Sequence, residues 1–162
     1  MTAEKGMKMK DQAMIRKVWQ LESELGQEKT VVRELKQAIR ASHLPELRVD
    51  EIATAVSEAC LNAIEHGNRC AKDVPVNVTM LVHADRILFR ICDRGSGTDA
   101  ACVQPSADMA QAKDKIGQRD PRGWGLLLMR HYADEVRAGC EGGEFCVELL
   151  FRREPKGGER IE

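Results

Sequence analysis

A helix-forming stretch from Arg48 to Gly67 constrains the fold of this chain more than any other segment. Its apolar residues recur at the spacing of an amphipathic helix and predict a buried stripe of Ile52, Val56, Ala59, Cys60 and Ala63. Glu58, Asn62 and His66 are spaced four apart, so they lie on one neighbouring face of the helix. That face is either the polar edge of a core helix or a place where a carboxylate acts as a base beside an amide metal ligand.

The length of the chain indicates one globular domain, and its charge gives no reason to expect a highly charged partner. A chain of 162 residues buries about two-thirds of the surface that it exposes when unfolded. Its net charge of −1 provides no attraction for nucleic acid or for an anionic membrane. No apolar run is long enough to span a bilayer, and the first ten residues lack the apolar core of a signal peptide. We therefore expect a cytoplasmic protein that binds neither nucleic acid nor a membrane.

The cysteines show no pattern of a metal site. The chain has six of them, Cys60, Cys70, Cys92, Cys102, Cys140 and Cys146. No two have the C-x-x-C spacing of a zinc site, and no histidine stands at a zinc-site offset from such a pair. Because the amino-terminal residues do not resemble a secretion signal, we expect free, mostly buried thiols and no structural metal.

The order of apolar patterns along the chain predicts an α+β fold. Alternating residues indicate strands, and apolar residues three or four apart indicate helices. The predicted elements are a strand at 15–21, a helix at 28–41, the helix at 48–67, hairpin strands at 76–83 and 86–92, a helix opening at Gly123, and closing strands at 134–138 and 144–151. This order implies a two-layer α/β sandwich with helices on one face of a mostly antiparallel, mixed sheet.

The domain is predicted to occupy residues 15–152, between a mobile lead-in at 1–14 and a polar tail at 153–162. Residues 98–122 lack periodicity, which is typical of a functional lid or a disordered loop, and 107–116 form a candidate short helix within them.

Three local predictions concern the ends of helices and strands. Gly67 and Asn68 are expected to form a left-handed cap after the long helix. His66, in the last turn of that helix, is interpreted as a helix-end residue that favours the negative end of the dipole when protonated. His83 stands next to a hairpin turn and is expected on the solvent side.

Two glycine-rich turns suggest ligand binding. Asp93 follows a strand and precedes Gly95 and Gly97, while Gly123 and Gly125 open a helix. Unpaired N–H groups at a glycine-rich helix start bind phosphate, because the helix dipole also favours an anion. The acidic residue of the first turn would repel a phosphate and suits the exocyclic amine of a purine. Each turn alone is more often a tight turn or a packing device, and the chain has neither a Walker A motif nor a Rossmann fingerprint.

Three segments resemble the motifs of one ATPase superfamily. They are EACLNAIEHG at 58–67, DRGSG at 93–97 and RGWGLLLM at 122–129, which resemble the N, G1 and G2 boxes of the GHKL ATPases. Their order and spacing are similar to those of the branch that contains the RsbW-type anti-sigma-factor serine/threonine kinases. The resemblance covers roughly residues 15–152 and implies a Bergerat-type fold with ATP and Mg²⁺ as cofactors.

The resemblance also assigns roles to individual residues. In that family the helix glutamate is the general base on a serine of a STAS-domain anti-anti-sigma protein, so Glu58 is assigned as the catalytic base. Asn62, whose neutral oxygen suits Mg²⁺, is assigned as the metal ligand, and Asp93 as the adenine-binding residue. The implied phosphate and lid elements are Gly95, Gly97, Arg122, Gly123 and Gly125. The implied partners are the STAS-domain protein, a sigma factor that the kinase sequesters and, by analogy, a second copy of the chain.

Two residues depart from the pattern of the family. Thr98 follows the G1 box where relatives often have an apolar residue, and Trp124 stands between the G2 glycines where a small, polar or basic residue is commoner. These departures leave a second function open, a nucleotide-gated binding module without kinase activity that sequesters a regulatory partner.

Overall fold

The computed structural model describes residues 12–95 and 122–154, and for 122–124 it describes the backbone alone. These ranges contain five strands, three α-helices and one π-helical turn. In chain order they are β1 Ile15–Leu21, α1 Glu28–Arg40, α2 Glu46–Asn62, the π-helical turn Ala63–Gly67, β2 Val76–Val82, β3 Arg86–Asp93, α3 Arg122–Tyr132, β4 Glu135–Glu141 and β5 Glu144–Arg152. The predicted short helix at 107–116 and nearly all of the predicted lid lie outside the described residues.

The five strands form one sheet with the order β1-β2-β3-β5-β4. Every neighbouring pair among them is antiparallel. The predicted α+β class is therefore confirmed, although the described strands contain no parallel pair that would make the sheet mixed. β3 lies between β2 and β5, and its last residue, Asp93, is paired with Phe145 of β5.

The hydrophobic core lies between the sheet and the helices. Every second residue of β2 and β3 is buried, as expected for strands with one face against a core. The core includes Val76, Val78, Met80, Val82, Ile87, Phe89 and Ile91 of the sheet, and Val31, Leu35, Ile39, Ile52 and Val56 of the helices. None of the described helices combines the length and the apolar composition needed to cross a membrane.

The long helix begins at Glu46 and ends in a π-helical turn, so the predicted left-handed cap at Gly67 and Asn68 is wrong. The N–H of Asn68 donates to the carbonyl of Ala63 at 2.8 Å, which is the five-residue spacing of a π-helix. Asn68 has φ −91° and ψ 0°, and left-handed φ values follow it at Arg69, 50°, and Cys70, 56°. Gly67 is required for another reason, its close approach to a carboxylate of the candidate site.

The closing hairpin turns more tightly than its sequence predicted. We expected Gly139 to Gly143 to form the connection, but β4 continues to Glu141 and only Gly142 and Gly143 form the turn. Their φ values are 59° and 82°. Two successive left-handed residues match the twist of a two-residue hairpin, which is why the glycine pair forms the turn.

His83 is buried, with 6% of its surface exposed, so its predicted place on the solvent side is wrong. Its backbone N–H donates to the carbonyl of Arg86 at 2.8 Å, and its own carbonyl accepts from Nη1 of Arg153 at 3.2 Å. β2 ends at Val82, so the direction of the His83 side chain does not follow the alternation of the strand.

Cys92 and Cys146 form a disulfide, which corrects the expectation of free thiols. They are direct partners on β3 and β5, with 4.1 Å between their Cα atoms. Among the other described cysteines, Cys60 is buried, whereas Cys70 and Cys140 are exposed. The expectation was wrong because local spacing does not reveal which strands become neighbours.

Replacing Cys92 and Cys146 together by serine is expected to lower the stability of the oxidised protein. The bond joins residues separated by 54 positions, and closing a loop of that length is worth about 4 kcal/mol of unfolding free energy in the chain-entropy model. Urea unfolding without reductant measures the difference. Cys140→Ser, which removes an exposed free thiol, is the control and should change stability by less than about 0.5 kcal/mol. Equal stability of wild type and double variant would refute the bond.

Candidate nucleotide-binding site

The candidate site lies where the carboxyl-terminal part of α2, the end of β3 and the start of α3 meet. α3 packs against α2, and the π-helical turn that continues α2 contacts β3. Two close approaches define the site, and in each a glycine of one element faces a carboxylate of another. These are Gly125 with Glu58 and Gly67 with Asp93. The structure therefore brings together parts of all three segments that the sequence singled out.

Gly125 is buried against the polar face of α2. A Cβ at this position would lie 3.0 Å from Oε2 of Glu58, and 3.2 Å and 3.4 Å from Nδ2 and Oδ1 of Asn62. Because no side chain is present, the start of α3 can approach the two polar groups closely. The amino terminus of a helix carries positive partial charge, so this arrangement favours an anion beside Glu58 and Asn62.

Glu58 has a carboxyl group whose pKa is raised by its surroundings. Its side chain is half-buried on α2, and burial raises the pKa of its carboxyl group, with a further upward contribution from the nearby carboxylate of Glu65. Both effects disfavour the charged form, so the carboxylate binds a proton more readily than an exposed glutamate does. A base with a raised pKa accepts a proton more effectively at neutral pH.

Asn62 can contribute an oxygen ligand to a metal ion. Its Oδ1 and Oε2 of Glu58 lie on the same side of α2, because both face the position where a Gly125 Cβ would stand. An amide oxygen is a ligand that Mg²⁺ accepts, and Mg²⁺ keeps several waters among its other ligands. The donor set present here fits the Mg²⁺ that the resemblance implies.

Asp93 holds a buried carboxylate at the end of β3. Only 4% of its surface is exposed, and its Oδ1 accepts a hydrogen bond from the N–H of Gly95 at 2.9 Å. Burial raises the pKa of Asp93 to about 6, the Gly95 hydrogen bond lowers it, and the carboxylate of Glu144 raises it. A carboxylate has two oxygens that can accept several hydrogen bonds, so Asp93 can also accept one from a ligand amine.

Gly67 and Gly95 leave no room for side chains around Asp93. A Cβ on Gly67 would lie 2.2 Å from Cγ of Asp93, and a Cβ on Gly95 would lie 2.0 Å from the carbonyl oxygen of Gly67. Both distances are far below van der Waals contact. The π-helical turn, the end of β3 and the bend after it therefore pack together only because both positions are glycine.

The other predicted site residues are described in part. Arg122 and Gly123 form the first turn of α3, where only their backbone is described. Gly97 lies outside the described residues. His66 is exposed, with its Nε2 3.8 Å from a carboxylate oxygen of Glu65, and it remains interpreted as a helix-end residue.

Sequence reasoning missed Asn68, which is buried beside this site with 5% of its surface exposed. Its Oδ1 accepts from the N–H of Arg94, the residue after Asp93, at 2.8 Å. Spacing gave no signal for it, because an asparagine that follows a glycine is usually assigned to a turn.

Comparison with known proteins identifies similar sequences in one family of ATPase domains. The histidine kinase-like ATPase domain family matches residues 21–150. The serine-protein kinase RsbW of Bacillus subtilis (strain 168) is 30% identical over 114 residues, which are 70% of this chain and 69% of that protein. RsbW of Bacillus licheniformis is 32% identical over 95 residues, 59% of each chain. The anti-sigma F factor of Priestia megaterium is 33% identical over 92 residues, 54% of this chain and 57% of that protein.

The match to the last two relatives thus spans less than three-fifths of the length of either protein. Two solved structures share the fold at lower identity. The RsbU and RsbW domains of Rv1364c from Mycobacterium tuberculosis match with a TM-score of 0.60 and 18% identity over 85% of this chain and 32% of that one. The SiaB-SiaC complex from Pseudomonas aeruginosa matches with a TM-score of 0.64 and 12% identity over 83% and 88%.

Gly67→Ala is expected to disrupt the packing around Asp93. Its new methyl group would overlap the carboxylate at 2.2 Å, and such overpacking typically costs about 1–3 kcal/mol of stability. Displacement of Asp93 should also weaken ATP binding by about tenfold or more. Thermal unfolding and calorimetric titration measure the two effects. Gly139→Ala is the control, since no atom lies within 4 Å of its Cβ position. Indistinguishable behaviour of the two variants would contradict the packing argument.

If Asp93 accepts the adenine amine, as the resemblance implies, its raised pKa predicts a pH dependence of ATP affinity. Below about pH 6 the carboxyl group takes up a proton and loses its strength as an acceptor, so affinity for ATP should fall as the pH is lowered from about 7.5 to 5.5. The measured quantity is the ratio of the dissociation constants of wild type and Asp93→Asn, because titration of the phosphates affects both proteins equally. A ratio that stays constant across this range would count against the assignment.

The raised pKa of Asp93 also makes the stability of the fold depend on pH. Folding raises the pKa of Asp93 from 3.8 to about 6. The stability contributed by its neutral form is therefore complete below pH 3.8 and is lost as the pH rises through the folded pKa.

Proposed function

This chain belongs to the histidine kinase-like ATPase family, and from that premise we propose that it transfers the γ-phosphoryl group of ATP to a serine or threonine of a protein partner. The observation that carries the proposal is the convergence of Glu58, Asn62 and the start of α3 at Gly125. In this proposal the three act as a base, an oxygen ligand for a metal and a phosphate-binding helix start. Phosphoryl transfer needs little more than such positioning and charge stabilisation.

Glu58 acts in this proposal as the general base. It removes the proton from the hydroxyl group of the partner residue, whose oxygen forms the bond to the γ-phosphorus while the bond to the bridging oxygen breaks and ADP leaves. The raised pKa of Glu58 suits this step, because the carboxylate must hold a proton once the hydroxyl group has reacted.

Asn62 would hold the Mg²⁺, which when bound neutralises the negative charge of the phosphates. The phosphates would bind at the amino terminus of α3, where Arg122, Gly123 and Gly125 lie, together with Gly97 of the G1 box. The argument for this location is the positive end of the α3 dipole beside the two polar groups of α2.

Asp93 would bind the adenine base. Its carboxylate is buried and is held on one oxygen by Gly95, which leaves acceptor capacity for the exocyclic amine. A buried acceptor of this kind discriminates against a base that lacks the amine, because the carboxylate would then be left without a partner.

The names of similar proteins suggest partners, which we propose for this chain. Similar proteins are named serine-protein kinase RsbW and anti-sigma F factor, and a chain of similar fold was solved in the SiaB-SiaC complex. We accordingly place a STAS-domain anti-anti-sigma protein as the phosphorylated partner, a sigma factor as the sequestered one, and the cytoplasm as the compartment. A second copy of the chain is a further proposed partner.

A second candidate is a nucleotide-gated binding module without kinase activity. It is favoured by Trp124, which stands between the two glycines of the α3 turn, and by Thr98 after the G1 box. In this alternative the nucleotide controls the affinity for a partner, and Glu58 has no chemical role.

Glu58→Ala and Asn62→Ala are expected to have different effects. Glu58→Ala should keep the affinity for Mg²⁺-ATP but lower transfer to the partner serine by about 10²–10⁴-fold, because only the base is lost. Asn62→Ala should weaken the Mg²⁺-dependent part of ATP binding itself. Labelled ATP with a STAS-domain partner measures transfer, and calorimetry with and without Mg²⁺ measures binding. Asp50→Asn, an exposed carboxylate on the same helix, is the control and should leave both unchanged.

The outcomes separate the two functions. Transfer by the wild type and its loss in Glu58→Ala support the kinase. A stable ATP-dependent complex without transfer supports the binding module, and equal transfer by wild type and Glu58→Ala would exclude Glu58 as the base.

A further inference from the structure

Asn68 connects four separate segments of the chain through one buried side chain. The two hydrogens of its Nδ2 group are shared among three acceptors, Oγ of Ser23 at 2.9 Å and the carbonyls of Val74 at 3.1 Å and Pro75 at 3.2 Å. Its Oδ1 accepts from the N–H of Arg94 at 2.8 Å. The loop after β1, the loop before β2 and the bend after β3 are thereby joined to the end of the π-helical turn.

The backbone of Asn68 is held as firmly as its side chain. Its N–H donates to the carbonyl of Ala63 at 2.8 Å, and its carbonyl accepts from the N–H of Ala71 at 2.9 Å. The first bond joins the Asn68 backbone to the π-helical turn and the second joins it to the loop that follows, so the residue is held by the backbone on the helix side of its contact with the β3 bend.

The Arg94 N–H that Asn68 binds lies in the chain between Asp93, which carries the carboxylate, and Gly95, which donates a hydrogen bond to it. Arg94 follows Asp93 directly and precedes Gly95, whose N–H binds the Asp93 carboxylate at 2.9 Å. Fixing the peptide N–H of Arg94 therefore fixes the backbone on which both the carboxylate and its hydrogen-bond donor depend. On the other side, Gly67 of the same π-helical turn contacts the carboxylate itself.

We infer that Asn68 is the positioning residue that sets the orientation of Asp93 and thereby the selectivity of the site for a 6-aminopurine over a 6-oxopurine. The inference rests on the proposed binding of adenine by Asp93. Asn68 touches no ligand in this scheme and acts through the Arg94 peptide. Only a carboxamide provides at this place both the acceptor for Arg94 and the donors for the carbonyls of Val74 and Pro75.

A role limited to stability makes a different prediction. If Asn68 only held the loops together, its loss would weaken the binding of every nucleotide to the same extent. If it orients Asp93, its loss weakens the binding of ATP and leaves that of ITP, which has an oxygen in place of the amine, nearly unchanged. The ratio of the two dissociation constants therefore separates positioning from stability.

The test compares ATP and ITP on wild type, Asn68→Ala, Ser23→Ala and Asp93→Asn by calorimetry at pH 8, in the full chain with Mg²⁺. Wild type should prefer ATP by about tenfold or more, since a site built for an amine leaves its acceptor unpaired with ITP. Asn68→Ala and Asp93→Asn should both reduce the preference to about threefold or less. Ser23→Ala removes a hydrogen bond of the same network but keeps the contact with Arg94, so its preference should equal that of wild type.

A second variant covers the case in which Asn68→Ala does not fold. Asn68→Asp has the same shape and keeps the acceptor that faces Arg94, while it loses the donors to the two carbonyls. It should be less stable than wild type and yet prefer ATP by a similar factor. Loss of the preference in this variant would overturn the inference.

The experiment distinguishes failure of the proposed role of Asp93 from failure of the inference about Asn68. If wild type binds neither nucleotide, or binds ATP and ITP equally, the proposed role of Asp93 fails and the inference fails with it. If wild type prefers ATP and Asn68→Ala keeps that preference, only the inference about Asn68 is overturned.

Discussion

The contact of Gly67 with the Asp93 carboxylate is the constraint on which the rest of the site depends. A single methyl group at position 67 would overlap the carboxylate at 2.2 Å, so the end of the long helix and the end of β3 can meet only at a glycine. The π-helical turn that carries Gly67 widens the helix at this point. Turns of this type are frequent at functional sites, where they direct backbone groups that a regular helix would not present.

Two acidic side chains of the candidate site are partly or fully buried, at a cost to the stability of their charged forms. The pKa of Asp93 is raised to about 6, and burial also raises the pKa of Glu58, so the ionised forms of both are disfavoured in the folded chain. Hydrogen bonds from Gly95, and from Arg94 to Asn68, keep the bend around Asp93 in place. Carboxylates whose charged forms are disfavoured by burial are suited to a ligand that supplies hydrogen-bond donors or to a metal ion.

Much of the fold could be predicted from the sequence because it follows from local periodicity. The strand at 15–21 has the bounds of β1, and the alternation in 76–82 gives the buried and half-buried faces of β2. Long-range pairing is not encoded in this way. Cys92 and Cys146 are adjacent only because β3 and β5 are neighbours in the sheet, and His83 is buried although it lies beyond the end of β2.

The sequence by itself determined which chemical groups are available and which share a helix face. A spacing of four places Glu58 and Asn62 side by side on α2, since the helix geometry depends only on neighbouring residues. Only the tertiary structure decided what faces them and what surrounds Asp93. Segments far apart in the chain are joined by the approach of Gly125 to Glu58, by the approach of Gly67 to Asp93, and by the side-chain hydrogen bonds of Asn68. Such contacts depend on how helices pack on the sheet, and a residue's immediate neighbours do not specify that packing.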